Sequence, residues 1–149
     1  MSIKKESGLR SGSRRASVTI YTDGGARGNP GPGGIGVVIY DAEGHVIKEH
    51  KAFLGFTTNN KAEYTAVIQA LHIAQELQAE RVRLLSDSRL IIEQLNRRFK
   101  VRDKDLAKLF TQVWNLAHSF RSVVFQHVRR EQNKHADRLA NEAMDAGTI

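Results

Sequence analysis

Four acidic residues stand where the sequence could assemble a chemical site: Asp23, Glu63, Asp87 and Asp137. Each falls where a strand-like segment ends or within the first turn of a helix-like segment. In open α/β sheets, functional groups gather at the carboxyl ends of parallel strands, close to the N-termini of helices. We therefore expect the four carboxylates to converge on one site, although they are far apart along the chain.

A cluster of carboxylates restricts the chemistry of such a site. Like charges that lie close together raise one another's pKa values unless a cation neutralises them. Oxygen ligands without histidine or cysteine suit Mg²⁺ or Mn²⁺ rather than zinc. Two such ions about 4 Å apart can activate a water and stabilise the leaving oxygen of a phosphodiester. Taken singly, each acid has a simpler explanation, because acids at helix starts stabilise the helix dipole and Asp often completes a turn.

The elements that must position these acids follow from hydrophobic periodicity. Both prolines and half of the 12 glycines fall within residues 23–34, which predicts a loop there. Asn59 or Asn60 is expected to cap the first helix. The predicted strands cover residues 17–21, 35–40, 45–53, 81–86 and 122–128, and the predicted helices residues 61–78, 88–98, 106–117 and 136–144. The order β-β-β-α-β-α-α-β-α predicts an α/β fold: a mixed five-stranded sheet with helices on its faces.

Composition bounds the class of protein. A chain of 149 residues, 40% of them apolar, suits one globular domain. The apolar runs are far shorter than the roughly 20 residues of a membrane span. The absence of cysteine excludes disulfides, thiolate zinc sites and cysteine nucleophiles. No secretory signal follows the basic N-terminus, so we expect a cytoplasmic protein. We also expect a monomer without a membrane partner.

The net charge of +7 is unevenly distributed, because residues 1–17 alone carry +4. Residues 1–16 are predicted to form a basic, disordered tail, which either attracts polyanions or only keeps the chain soluble. The functional domain is predicted at residues 17–146, with residues 147–149 as the C-terminal end. Charge alone therefore does not decide the function.

Four motifs carry a resemblance to a known family. They are Tyr21-Thr22-Asp23-Gly24-Gly25 with Gly28-Asn29-Pro30-Gly31-Pro32-Gly33, Thr57-Thr58-Asn59-Asn60-Lys61-Ala62-Glu63-Tyr64, Ser86-Asp87-Ser88, and Ala136-Asp137-Arg138-Leu139-Ala140-Asn141. Together they resemble type 1 ribonuclease H, in the order and on the element types of that family, over about residues 17–146. The resemblance implies a ribonuclease H-like fold.

The resemblance also implies a chemistry for the four acids. The family cleaves the RNA strand of RNA–DNA hybrids and leaves 5′-phosphate and 3′-hydroxyl ends. Asp23 would bridge two Mg²⁺ or Mn²⁺ ions, both present when substrate is bound. Glu63 and Asp87 would hold one ion and Asp137 the other.

Substrate recognition is implied for five further residues. Asn29, Asn59 and Asn60 match by motif position residues that contact the substrate strands in the family. Gly28 would let the backbone approach a ribose, and Thr58 is expected to contact a phosphate. The competing interpretation is local: Asn29 completes a turn, and Asn59 or Asn60 only caps a helix.

The segment before Asp137 departs from the common family pattern, in which a histidine stands on a flexible loop. It resembles the compact archaeal-type variant, where an arginine replaces that histidine. Arg130 is the expected replacement and catalytic residue, although a solvated basic loop would look the same. His135 is the other candidate, since it stands two positions before Asp137.

A second departure is the missing basic handle that some family members insert between two central helices. The basic residues in its place either track DNA phosphates or form a solvated helix junction. They are Arg97, Arg98, Lys100, Arg102, Lys104 and Lys108. Trp114, on the apolar stripe of the following helix, is expected in the core.

Three functions compete at this point. The first is a metal-dependent endoribonuclease acting on RNA–DNA hybrids. The second is a catalytically weak module that binds hybrids or double-stranded RNA by shape. The third is a DNA-cutting enzyme of the same architecture, such as a resolvase or transposase, for which the three asparagines have no explanation.

Overall fold

The structure, a computed structural model that describes residues 16–147, is built on one mixed five-stranded sheet. Its strands are β1 (Ser17–Ala26), β2 (Gly31–Tyr40), β3 (Val46–Thr57), β4 (Arg81–Ser86) and β5 (Ser122–His127). They lie in the order β3-β2-β1-β4-β5. The first three strands pair antiparallel, whereas β1–β4 and β4–β5 are parallel. The predicted fold class and element order are confirmed.

Helices cover both faces of the sheet. They are α1 (Asn59–Glu76), α2 (Arg89–Leu95), α3 (Lys104–Ala117) and α4 (Lys134–Gly147), with a short 3₁₀ turn at Arg130–Gln132 before α4. The larger core lies under α1 and α3, where Ile20 and Ile39 pack with Leu71. The smaller core lies under α4, where Val38 packs with Leu139. Side chains of a strand alternate between faces, so Val38 and Ile39 serve opposite layers.

The glycine-rich segment is where the structure differs most from the sequence-based expectation. The predicted loop over residues 23–34 is wrong, because β1 continues to Ala26 and β2 already begins at Gly31. Only residues 27–30 form the turn, in which Gly28 has a φ of +75°. The third strand likewise extends to Thr57.

The strand glycines serve the packing of helices on the sheet. A Cβ on Gly24 would fall on the carbonyl of Ala62 in α1. A Cβ on Gly36 would fall on the carbonyl of Ala136 in α4. Glycine is therefore required where a helix backbone crosses a strand at close range, and at Gly24 the loop prediction mistook this requirement for a turn signal.

Three further details correct or complete the expectations. Thr58, not Asn59 or Asn60, caps α1, since its Oγ1 accepts from the Lys61 N–H at 3.2 Å. Trp114 is 39% exposed rather than in the core. The predicted tail lies outside the described residues, apart from Ala16.

None of the helices within residues 16–147 combines the length and apolar character needed to cross a membrane.

Candidate active site

Two of the acids directly follow the parallel-paired segments of neighbouring strands, at the same level of the sheet. The parallel pairing of β1 and β4 ends at Thr22 and Ser86, so Asp23 and Asp87 are each the next residue. Asp23 does not end β1 as predicted, because that strand continues in its pairing with β2. It does stand at the end of the parallel pairing, which is the position where open α/β sheets place functional groups.

The other two acids come from helices on opposite faces of the sheet. Asp137 lies in the first turn of α4, as predicted. Glu63 is the fifth residue of α1 and lies just beyond the first turn, because the helix begins two residues earlier than predicted. Gly24 brings α1 close to β1 at this point, since a side chain there would meet the backbone of Ala62 and Glu63.

The structure brings these acids together. One carboxylate oxygen from each of Asp23, Glu63 and Asp87 lies within 4.8 Å of the others. Asp137 shares a hydrogen bond with Asp23. All four line one pocket, together with Arg130 and others. The geometry therefore supplies a compact, all-oxygen donor set.

Electrostatics show that this cluster needs positive charge. Burial raises the pKa of Asp23 to about 8, helped by its hydrogen bond with Asp137 and by the charge of Asp87. Burial, followed by the charges of Asp23 and Asp87, raises the pKa of Glu63 well above its usual value. Glu63 Oε1 is also buried and accepts no hydrogen bond from the residues that the structure describes. A divalent cation fits these residues, because hard cations prefer oxygen ligands.

The two candidates for the missing histidine lie in different surroundings. Arg130, in the 3₁₀ turn, lines the acidic pocket, and its positive charge opposes the rise in the pKa of Glu63. His135 points elsewhere, with its Nε2 at 2.6 Å from Glu49 Oε2 on β3. The structure thus places Arg130, and not His135, beside the acids.

The turn between β1 and β2 is interlocked with the start of α1. Asn29 Oδ1 accepts from the Asn59 N–H at 2.9 Å, and Asn59 Oδ1 accepts from the Ala26 N–H at 2.8 Å. Both side-chain oxygens are therefore used inside the protein, which leaves the amide N–H groups to donate. Asn59 and Asn60 also line the acidic pocket. Thr58, the expected phosphate contact, has its oxygen engaged in the helix cap.

Sequence patterns did not reveal two residues that shape this region. Arg27 joins the turn to α4, through Asp145 at 2.6 Å and Asn141 Oδ1 at 3.2 Å. Asn133 donates to the Thr22 carbonyl and to Asp87. The one available signal was the position of Asn133 just before the start of α4, where asparagine is favoured. Their partners are distant in sequence, so spacing could not identify them.

The expected basic run is partly committed to contacts within the chain. Residues 96–103 join α2 directly to α3, with no inserted helix. Arg97 lies 4.9 Å above the ring of Trp114, and Arg98 pairs with Glu93 at 3.0 Å. Lys61 pairs with Asp105 at 3.2 Å, which brings the start of α3 beside the start of α1.

Comparisons with known proteins agree with this geometry. Residues 21–143 match the family model described as reverse transcriptase-like. A bifunctional protein of Mycobacterium tuberculosis is 47% identical over 130 residues, which are 87% of this chain and 36% of that protein. Ribonuclease HI of Halobacterium salinarum is 38% identical over 89% of this chain and 66% of its own length. Ribonuclease H of Hydrogenovibrio crunogenus is 34% identical over 86% of this chain and 95% of its own length.

Solved structures show the same similarity in three dimensions. The N-terminal ribonuclease H domain of the M. tuberculosis protein has a TM-score of 0.85 at 46% identity, covering 87% of this chain and 94% of that one. A ribonuclease H1 isolated from compost, solved in complex with an RNA/DNA hybrid, has a TM-score of 0.85 at 42% identity, covering 89% and 99%.

Sheet order and strand-end acids together define an α/β protein of the ribonuclease H-like class. Within that class, the chain belongs to the type 1 ribonuclease H family, also called ribonuclease HI. The chain spans about a third of the length of the mycobacterial relatives, 36% of each.

Proposed function

We propose that this chain is an endoribonuclease that hydrolyses the RNA strand of RNA–DNA hybrids and leaves 5′-phosphate and 3′-hydroxyl ends. The observation that carries the proposal is the acidic pocket, in which three carboxylates lie within 4.8 Å and a fourth is hydrogen-bonded to one of them. Support comes from the compost-derived relative, which was solved with an RNA/DNA hybrid.

We assign cation binding to Asp23, Glu63, Asp87 and Asp137, with Mg²⁺ or Mn²⁺ as the ion. Bound divalent cations supply an activated water and stabilise the charge that develops on the leaving oxygen. The protein contributes four oxygen donors on two adjacent strands and two helices. The raised pKa values of Asp23 and Glu63 favour exchange of their bound protons for a cation.

Recognition of the hybrid falls to the side chains around the turn. Among residues 16–147, no group accepts a hydrogen bond from the side-chain amide N–H groups of Asn29 and Asn59. We therefore expect these N–H groups to face acceptors such as ribose 2′-oxygens and minor-groove base atoms. Asn60 lines the pocket beside them. Gly28 has no side chain to keep a ribose from the backbone. Because the Thr58 oxygen accepts from the Lys61 N–H, we expect Thr58 to contact a phosphate through its hydroxyl proton.

Arg130 supplies a positive charge at the edge of the acidic pocket. We propose that it stabilises negative charge on the reacting phosphate or assists product release. An arginine stays protonated at neutral pH, so it does not carry protons as a histidine would. The alternative function is a catalytically weak module that binds hybrid or double-stranded RNA. It rests on the arginine that stands in place of the histidine common in the family, because that arginine cannot carry protons.

One assay separates these functions. Labelled RNA–DNA hybrid, duplex RNA, duplex DNA and a junction with one ribonucleotide are incubated with the protein and Mg²⁺ or Mn²⁺. We expect cleavage of the hybrid, and Asp23→Asn should lower kcat roughly a thousandfold or more with the fold intact. Asp105→Asn is the matched control, because that exposed carboxylate pairs only at the surface with Lys61.

Two outcomes contradict the proposal. Cleavage by the Asp23→Asn variant at the wild-type rate would remove the acids from the reaction. Binding of hybrid or duplex RNA without turnover at saturating metal would establish the binding module instead.

We also propose that the chain acts as a monomer in the cytoplasm. Its elution volume beside size standards tests the first point, and its cellular distribution tests the second.

A further inference from the structure

Asn133 occupies the junction between the turn that carries Arg130 and the helix that carries Asp137. Its backbone N–H donates to the Arg130 carbonyl at 2.9 Å, and its carbonyl accepts from the Asp137 N–H at 3.0 Å. The residue is 1% exposed. The main chain therefore fixes its position from both sides.

The side chain of Asn133 uses both amide protons on the two strands that meet at the acidic pocket. Nδ2 donates to the Thr22 carbonyl at 2.9 Å, next to Asp23. It also donates to Asp87 Oδ2 at 3.1 Å. One side chain thereby connects the end of the parallel pairing of β1 and β4 with the start of α4.

The carbonyl oxygen of the same amide is buried and accepts no hydrogen bond from any residue between 16 and 147. Burying an acceptor without a partner costs about 1–3 kcal/mol, so packing does not explain an asparagine here. Donation to the Thr22 carbonyl and to Asp87 does explain it. An aspartate would offer only acceptors and a further negative charge, whereas an apolar side chain would offer no donor.

We propose that Asn133 is a positioning residue, one that orients Asp87 for cation binding; this inference rests on the proposed function. By holding Oδ2, the amide restricts the rotation of the carboxyl group and leaves Oδ1 available to a cation. Because the amide is neutral, it adds no positive charge that would compete with that cation. Groups that hydrogen-bond to metal ligands in this way typically change metal affinity or activity 10–100-fold when mutated.

Calorimetric titration of Mn²⁺ into the protein, without substrate, measures this role apart from turnover. We expect Asn133→Ala to weaken Mn²⁺ binding about tenfold or more. In hybrid cleavage, kcat should fall at limiting Mn²⁺ and recover as Mn²⁺ is raised, with an unchanged KM for the hybrid. If the alanine variant does not fold, Asn133→Ser is measured in the same way, because the serine hydroxyl reaches one bond less far than the asparagine amide.

Asn96→Ala is the matched control. Its amide also donates to a main-chain carbonyl, that of Phe125 at 3.0 Å, and Asn96 does not line the acidic pocket. We expect lower stability with unchanged Mn²⁺ affinity. In an Asp87→Ala background, Asn133→Ala should have no further effect on Mn²⁺ affinity, because the interaction is already lost.

Two results would overturn the inference, and they are distinguishable. Wild-type Mn²⁺ affinity in Asn133→Ala, with a loss of stability like that of Asn96→Ala, would make Asn133 a structural residue only. Absence of Mn²⁺ binding by the unmodified protein would instead refute the metal site itself, and with it both this inference and the proposed function.

Discussion

At the scale of single residues, the site depends on carboxyl groups held where water is scarce. Asp23 is 8% exposed and has a pKa raised to about 8, so without a cation it keeps its proton at neutral pH. The types and approximate positions of the acids could be predicted, because strand ends and helix starts have local sequence signals. The partner of Asp87 could not, because Asn133 is 46 residues away and reaches it only in the folded chain.

The raised pKa of Asp23 predicts how metal-free stability depends on pH. In the unfolded chain this carboxyl ionises near its ordinary pKa of 3.8, whereas in the folded chain it retains its proton up to about pH 8. The folded state then binds more protons, so stability falls as pH rises between these values. Asn at position 23 carries no ionisable proton, so Asp23→Asn should make this decline shallower. We expect its Tm at pH 8 to exceed that of the wild type by about 5 °C.

Thermal denaturation in a chelator from pH 4 to pH 9 measures this effect. Near pH 4 the variant and the wild type should unfold at similar temperatures, because Asp23 is protonated in the folded state of the latter. Parallel Tm curves for the two proteins across the whole range would contradict the assigned pKa.

At the scale of elements, the order and type of the strands and helices followed from hydrophobic periodicity. The conformation of the glycine-rich segment did not. The predicted loop over residues 23–34 places Gly24 and Gly34 outside the strands, because proline and glycine usually break strands. Their actual role is to let α1 and α4 approach the sheet, which depends on elements 38 or more residues away. The capping error has a similar cause, since Asn59 is an equally good cap but its oxygen is used by Ala26.

Close packing of α4 on β2 predicts a large effect of one methyl group. A Cβ at Gly36 would overlap the backbone of Ala136, which cannot move aside as a side chain could. We expect Gly36→Ala to destabilise the protein by about 2–3 kcal/mol, measured by chemical denaturation. Gly25→Ala is the control, because a Cβ there meets only Asn59 Oδ1 at 3.7 Å. Equal stability of the two variants would mean that α4 does not pack as closely as described.

At the scale of the whole molecule, one end of the sheet carries the chemistry. The parallel pairing of β1 with β4 ends there, and α1, α2 and α4 begin there. The sequence could predict this convergence, because parallel strands joined by helices place their carboxyl ends on one side. It could not predict that α3 also starts nearby, since the Lys61–Asp105 ion pair that joins it to α1 spans distant segments.

This placement of α3 predicts a second contact with substrate. Lys104 is the first residue of α3, Arg102 precedes it by two, and the Lys61–Asp105 ion pair joins this helix start to the start of α1. We therefore expect both basic side chains to contact phosphates of the DNA strand. The variant Arg102→Gln/Lys104→Gln should raise KM for the hybrid at physiological salt, lower the slope of log KM against log salt by about 1–2, and leave kcat unchanged. Cleavage rates measured over a salt series check this expectation.

The variant Arg81→Gln/Arg121→Gln removes the same charge from the opposite end of the sheet, where β4 and β5 begin. Because screening weakens interactions beyond about 10 Å, charges at that end should add little to phosphate binding. We therefore expect a KM and a salt slope close to those of the wild type. Equal shifts in both double variants would show that net charge, and not a phosphate contact at α3, determines hybrid affinity. An unchanged KM in both would confine substrate binding to the acidic pocket and the turn that carries Asn29.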